Sequence, residues 1–291
     1  MNYVDFFGHK VSKLIVGDNP FTGHSYIPDF VSGDEMFKYH TEDKILEAMH
    51  KMEELGINTM LPLASPKIIE ILKHYRSNGG KMNFIFQTYA PCMVSYDEAD
   101  ASMKQMEEVG HIGVYISGTY TDVRFETGRK DEITGMLKHF KNHYKDSGIK
   151  VGIGTHLPEL VNLSETEEWN PDFYMACMYN LRRGREGQES GFLTGKAKTD
   201  ICIRPTDRAE MLKVLKDVKK PIIAFKIFAG GQMVTAVSEE EKRARIKDAY
   251  NTIFTSLKPD DFAVMGIFQK YSDQLGENVE IYNEWYNEQN K

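Results

Sequence analysis

Cysteine is scarce in this chain: 291 residues contain three, Cys92, Cys177 and Cys202, with no metal-ligand spacing and no pair set in a short loop. That excludes a disulfide-stapled scaffold and suits a reducing compartment, where the three read as ordinary core thiols. No apolar run approaches the roughly 18 to 20 residues that a membrane helix needs, and the opening MNYVDFFGHKVSK has no signal-peptide core. The expected location is cytoplasmic, without a membrane partner. Positive charge is not in excess either, since 36 Lys and Arg face 43 Asp and Glu for a net charge of −7. Without a basic stripe, nucleic-acid binding by phosphate neutralisation is not expected. Low-complexity tracts and short-period repeats are also missing. The partner left by these exclusions is a small molecule, polar or anionic.

What is present is a strand–helix alternation. Eight β-rich runs alternate with eight amphipathic segments from Leu14 to Trp285, which predicts an α/β fold, a single (β/α)8 TIM barrel over residues 1–291. The runs are LIVG (14–17), INTMLP (57–62), NFIFQTY (83–89), IGVYIS (112–117), KVGIGTH (150–156), DFYMACMYN (172–180), IIAFKIF (222–228) and FAVMGIF (262–268). Helices are expected after the cap Thr41, from the Ser65-Pro66 start, over about 96–109, 130–147, 206–218 and 238–254, and at the C-terminus. The first connection, DNPFTGHSYIPDFVSGDEMFKYH (18–40), crosses the rim. The connection LRRGREGQESGFLTGKAKTDICIRP (181–205) is long for such a fold, in keeping with either a lid or a solvated insertion.

In a parallel barrel the residues at the C-terminal strand ends face the site. This nominates Asp18, Asn19, Gln87, Tyr89, Tyr115, Ser117, Thr155, His156, Tyr179, Asn180, Arg182, Arg183, Lys226, Gln269 and Lys270. Lys226 stands out because its neighbours Ala224, Phe225, Ile227 and Phe228 are apolar, so it must find a partner or lose its proton. Alternation puts it on the face of Ile222 and Ala224, and Asp18 is the expected partner acid. A neutral amine there would form Schiff bases; a charged one would hold a carboxylate, phosphate or enolate. His156, between a strand and the Pro158 helix start, suits general acid or base work. A His24–His156–Asp18 metal site can be drawn, but no spacing demands it, and no metal is expected. Arg182, Arg183 and Arg185 offer an anion clamp, Tyr89 and Tyr179 stacking surfaces, and Gly230 and Gly231 close backbone approach.

Several segments, GHKVSKLIVG, LGIN, GIKVGIGTHLPE, DFYMACMYNLRR, AFKIFAGG and MGIFQKYSDQLGENVEI, occur in the order seen in the aldo-keto reductase superfamily, which the chain resembles as a divergent member. The resemblance implies an N-terminal hairpin and an NADP site in which Gly230, Gly231, Lys270 and Asn278 contribute. It also implies a catalytic Asp, Tyr, Lys and His on strands two to four. At those positions this chain has Leu61, LPLASP without tyrosine, Thr88-Tyr89 without lysine and Ser117-Gly118 without histidine.

Three functions follow as expectations. The first is an enzyme acting on a small polar carbonyl or sugar-like substrate by lyase, isomerase or aldolase-type chemistry, with Lys226, His156, Asp18 and Tyr179 catalytic and Asn19, Gln87, Tyr89, Tyr115, Asn180, Arg182 and Arg183 binding substrate. The second is an atypical NAD(P)-dependent oxidoreductase, and the third a non-catalytic ligand-binding barrel.

Overall fold

The computed structural model describes residues 1–182 and 203–290. A hairpin, β1 (Tyr3–Phe6) and β2 (His9–Ser12), precedes eight parallel strands: β3 (Leu14–Gly17), β4 (Thr59–Leu61), β5 (Asn83–Gln87), β6 (Gly113–Ile116), β7 (Lys150–Thr155), β8 (Phe173–Cys177), β9 (Ile222–Phe225) and β10 (Phe262–Gly266). They pair in chain order, and β10 closes on β3 to complete the barrel. Around it run α1 (Gly33–Tyr39), α2 (Glu42–Glu54), α3 (Pro66–Ser77), α4 (Tyr96–Val109), α5 (Gly118–Glu126), α6 (Lys130–His143), α7 (Pro158–Thr166), α8 (Asp207–Leu215), α9 (Glu239–Ser256) and α10 (Gln274–Gln289). Among the described residues no helix is long and apolar enough to cross a membrane.

The helix starts follow from local chemistry. Thr41, Ser95 and Ser238 accept hydrogen bonds from the amides of Lys44, Glu98 and Glu241, and acidic residues fill each first turn. Helix α5 was not foreseen, because its buried face is short and partly polar (Gly118, Tyr120, Thr121, Asp122) and carries no apolar stripe. The first connection also contains more structure than its sequence suggests, a 3-10 turn at Asn19–Thr22 and α1, which is capped by Ser32.

Two apolar layers result. Ile15, Leu61, Ile85, Tyr115, Met175, Ile223 and Val264 fill the barrel, with Phe6 and Val11 of the hairpin closing its lower end. The Phe6 ring meets Phe173 and Phe262 edge-on at 5.3 and 5.8 Å, and full burial of such a ring contributes about 1.5–3 kcal/mol. Glycine at two inward positions of β7 makes room for other rings: a Cβ at Gly152 would lie 2.6 Å from Phe173, and one at Gly154 3.1 Å from Tyr115. The outer layer joins alternate strand residues, Ile222 and Ala224 among them, to the helices. The expected placement of Lys226 by alternation therefore fails, since that face points away from the lumen. Several strands also end one to three residues before the apolar runs do, so His156, Tyr179 and Lys226 all lie beyond the ladder.

Candidate active site

Lys226 enters the mouth of the barrel by a break in the strand geometry. Its φ is +55°, in the left-handed region, which costs a residue with a Cβ about 1–2 kcal/mol. The turn that follows is closed by the Ala229 amide on the Lys226 carbonyl, at 2.7 Å. This conformation redirects the side chain, and its Nζ stands 3.2 Å from Nε2 of His156. On the far side of that ring Nδ1 meets Oδ2 of Asp122 at 2.7 Å. Asp122 comes from α5 and is fully buried; it also accepts from Thr155 Oγ1 at 2.6 Å and from the His156 amide at 3.1 Å. The helix can come this close because residue 118 is glycine, whose Cβ would touch the imidazole at 3.0 Å. Thr121 Oγ1, donating to the Gly154 carbonyl, fastens α5 to β7.

The hydrogen bond to Asp122 assigns the Nδ1 proton and leaves Nε2 facing Lys226. Burial opposes the Lys226 ammonium, but Tyr26, Cys177 and Asp122 hold its proton more tightly than in an ordinary lysine. The free amine required for Schiff-base chemistry is therefore disfavoured. For His156, burial and the nearby ammonium oppose protonation, while Cys177 and Asp122 outweigh them and place it above the ordinary histidine range. Cys177, at the inward-facing end of β8, is pushed up by burial and brought below the ordinary thiol range by His156 and Lys226.

The first connection supplies the roof. The Tyr26 ring lies 4.7 Å from Nζ of Lys226, its hydroxyl accepts from Asn19 Nδ2 at 3.1 Å, and its carbonyl accepts from Gln232 Nε2. Gly230 lets the ring settle, because a Cβ there would sit 2.6 Å from the Cβ of Tyr26. His24 is close enough for Lys226 to lower its proton affinity further, after burial has done most of that.

Asp18 is not the partner of Lys226. It is buried at the end of β3 and accepts from the Leu63 amide at 2.7 Å, joining the ends of two neighbouring strands. Burial raises its carboxyl to about 7. With Tyr115, which donates to Gln87 Oε1 at 2.8 Å, it forms a second polar group at the mouth. Asn19, Gln87, Tyr115, Thr155, His156, Lys226 and Asp18 are thus brought to one end of the barrel.

Other expectations fail. Tyr179 lies in the outer layer with its hydroxyl on Met233 Sδ, and Asn180 turns the chain by accepting from the Arg182 amide. The Arg182 guanidinium pairs with Glu126 at the end of α5, so it is not a free anion clamp. Tyr89 precedes a 3-10 turn and packs on the outer core. Arg183 and Arg185 lie outside the described residues. Gln269 is spent on the Leu275 amide. The drawn His24–His156–Asp18 site does not form, because both ring nitrogens of His156 face Asp122 and Lys226.

The residues matched to a nucleotide site do not fit one. Asn278 is buried, with Oδ1 accepting from the Tyr250 hydroxyl and Nδ2 donating to the Gln274 carbonyl. Lys270 borders a surface cleft of about 310 Å³ that also holds Lys44 and Lys51. Each lysine already has an acid, Lys270 with Glu35, Lys44 with Glu47 and Lys51 with Asp273. Gly230 and Gly231 give their close approach to the first connection, where they meet Tyr26 and Ile27.

No family model matches the sequence, and no curated protein matches it. Solved structures match it in shape. An aldo-keto reductase from Bacillus halodurans, in its holo form, superposes with a TM-score of 0.61 at 11% identity over 96% of this chain and 89% of that one. The fold is that of the aldo-keto reductases. A mutant of Gox0644 in complex with NADPH gives a TM-score of 0.57 at 9% identity over 97% of this chain and 88% of that chain. A truncated 3-deoxy-D-arabino-heptulosonate 7-phosphate synthase from Thermotoga maritima matches at 0.52, with 11% identity over 99% and 90%. This barrel shape alone does not select a chemistry.

Two contributors escaped the sequence reading. Asp122 sits in a helix without an apolar stripe, and Tyr26 in a connection without periodicity. The cue available for Asp122 was a carboxylate just after a serine-capped turn at a strand end.

Proposed function

We propose that the barrel mouth is the active site of an enzyme acting on a small polar carbonyl or sugar-like substrate by proton transfer, of lyase, isomerase or aldolase type. The Asp122–His156–Lys226 relay carries this reading. A carbonyl oxygen entering the mouth replaces Nε2 as acceptor of the Lys226 proton, and the ammonium then stabilises charge as it develops on that oxygen. Nε2 is thereby freed to take a proton from the adjacent carbon and return it to a neighbouring atom. Asp122 keeps the ring in the tautomer this requires. The Tyr26 hydroxyl is a second donor beside the same oxygen. Incubating the protein with small hydroxy-carbonyl compounds in D2O tests the idea by NMR: deuterium enters beside the carbonyl, and His156→Gln abolishes the exchange. No exchange across the panel, or exchange that survives the substitution, rejects it.

A second reading, an NAD(P)-dependent oxidoreductase, is supported by the reductases among the structural neighbours and by the lysine-lined cleft, since exposed ion pairs are weak enough for a phosphate to displace. The inward-turned Asn278 counts against it. Titration with NADPH and NADH, followed by cofactor fluorescence and thermal stability, separates the two. Saturable micromolar binding moves the assignment to the oxidoreductase; no binding at millimolar cofactor leaves proton transfer.

A further inference from the structure

The Lys226 ammonium is walled on three sides. Its Nζ stands 3.2 Å from Nε2 of His156, 4.6 Å from the centre of the Phe225 ring and 4.7 Å from the centre of the Tyr26 ring. A substrate oxygen that is to accept its proton needs one of these walls to move. His156 is pinned by Asp122 through both its ring and its amide, and Phe225 belongs to β9. Of the three, Tyr26 is the one borne by a connection at the rim.

That connection is built in two parts with different ties. Its base is the neck of an Ω-loop, in which the backbones of Gly23 and Gly33 touch: a Cβ on Gly33 would lie 2.3 Å from the Gly23 carbonyl oxygen. The base is fastened on both sides, by the His24 amide on the Asn19 carbonyl at 2.8 Å and by Ser32, which caps α1 through the Glu35 amide at 3.1 Å. The arm, 25–31, is fastened to itself. Ser25 Oγ donates to the Val31 carbonyl at 2.6 Å and accepts from the Ile27 amide at 3.2 Å, while the Phe30 and Val31 amides donate to the Ile27 carbonyl at 2.9 and 3.0 Å. Among the described residues, the hydrogen bonds that join the arm to the rest of the barrel end on Tyr26: Gln232 Nε2 donates to its carbonyl at 3.0 Å and Asn19 Nδ2 to its hydroxyl at 3.1 Å. The seat beneath is backbone, since Gly230 and Gly231 leave the room that Tyr26 and Ile27 occupy. The arm therefore lifts without disentangling side chains and without breaking its own bonds. We propose that 25–31 is a lid, shut in this structure, that swings as one piece about His24 and Ser32 to admit substrate to Lys226 and closes to bring the Tyr26 hydroxyl against the bound oxygen.

This inference deepens the proton-transfer reading and takes its meaning from it, but its test needs no substrate, so the two fail separately. The whole protein is labelled with ¹³C at the isoleucine δ1 and valine γ methyls, and Ile27 and Val31 are followed by relaxation dispersion, which detects exchange on the μs–ms scale of lid motions. The expected result is exchange at both residues with one rate and one open population, and none at Ile45 and Ile68 in the helix layer. Gln232→Ala removes the bond to the Tyr26 carbonyl from an exposed position. It should raise the open population about fivefold, the effect of one hydrogen bond of ordinary strength. Tyr26→Phe, which loses the bond from Asn19, should shift the population the same way. Ser25→Ala cuts the brace within the arm and should leave Ile27 and Val31 exchanging at different rates. Exchange that appears at both residues only in Gln232→Ala still supports the lid. No exchange in either protein, different rates at the two residues of wild type, or a population that Gln232→Ala leaves unchanged overturns it.

Discussion

Two lysines are half-buried at opposite ends of this barrel, and they hold their protons differently. Lys13, below the barrel, donates to the carbonyls of Pro259 and Asp261 at 2.6 Å each, yet burial outweighs the help of Asp261 and Asp260 and lowers it to about 8. Lys226, at the mouth, is likewise opposed by burial and is nevertheless raised, because Tyr26, Cys177 and Asp122 outweigh it. Burial alone therefore does not decide the state of a lysine; the number of acids that share the enclosure does. The mouth treats Asp18 in the opposite way, since burial raises its carboxyl to about 7. The mouth thus keeps the Lys226 ammonium and disfavours the Asp18 carboxylate.

Substitutions at these residues break or sharpen the contrast. The largest effect is expected at Lys226. Lys226→Met should lower kcat by about 10²–10⁴-fold, the usual contribution of a positioned acid–base group. Lys226→Gly should lose activity to the same degree and yet be more stable than Lys226→Met by about 1 kcal/mol, since glycine adopts the left-handed conformation without strain. Paired kinetic and urea-unfolding measurements check this, and equal stability of the two variants would remove strain from the account.

Next comes Asp18. Its folded value of about 7 lies above the ordinary 3.8, so between these pH values the folded chain binds more protons than the unfolded one. Its contribution to stability is complete below pH 3.8 and lost as pH rises through 7. Asp18→Asn lacks that loss, so relative to wild type it should gain stability between pH 4 and 8, by at most about 4 kcal/mol. Parallel unfolding curves for both proteins across that range would show a constant difference if Asp18 were an ordinary carboxylate.

The smallest effect belongs to Lys13. Its folded value of about 8 lies below the ordinary 10.5, so the unfolded chain binds more protons in that window and stability rises with pH across it. The gap between wild type and Lys13→Met should shift in favour of wild type between pH 7.5 and 10, by at most about 3 kcal/mol. A gap that does not move would mean that the two carbonyl bonds keep Lys13 fully charged.

Much of the fold was legible because its signals are local and periodic. The eight β-rich runs, the serine and threonine caps and Pro66 all report structure through their own neighbours, and the barrel followed from their alternation. The site was legible only in part. His156, Lys226, Asn19, Gln87, Tyr115 and Asp18 do lie at the mouth, because strand ends converge in any parallel barrel. The partner of Lys226 was misassigned to Asp18, since distance between strand ends cannot be read from spacing. Tyr179 and Arg182 were overvalued because the runs extend past the strands they form.

The sequence by itself determined the order of elements, the closed parallel barrel and the end at which polar residues collect, because periodicity and capping act over a few residues. Tertiary structure alone decided that α5 delivers Asp122 to His156 and that a left-handed residue turns Lys226 inward against its alternation. Those contacts join residues 34 to 70 positions apart, and their proton affinities depend on enclosure and shared charge, quantities that exist only once the barrel has closed.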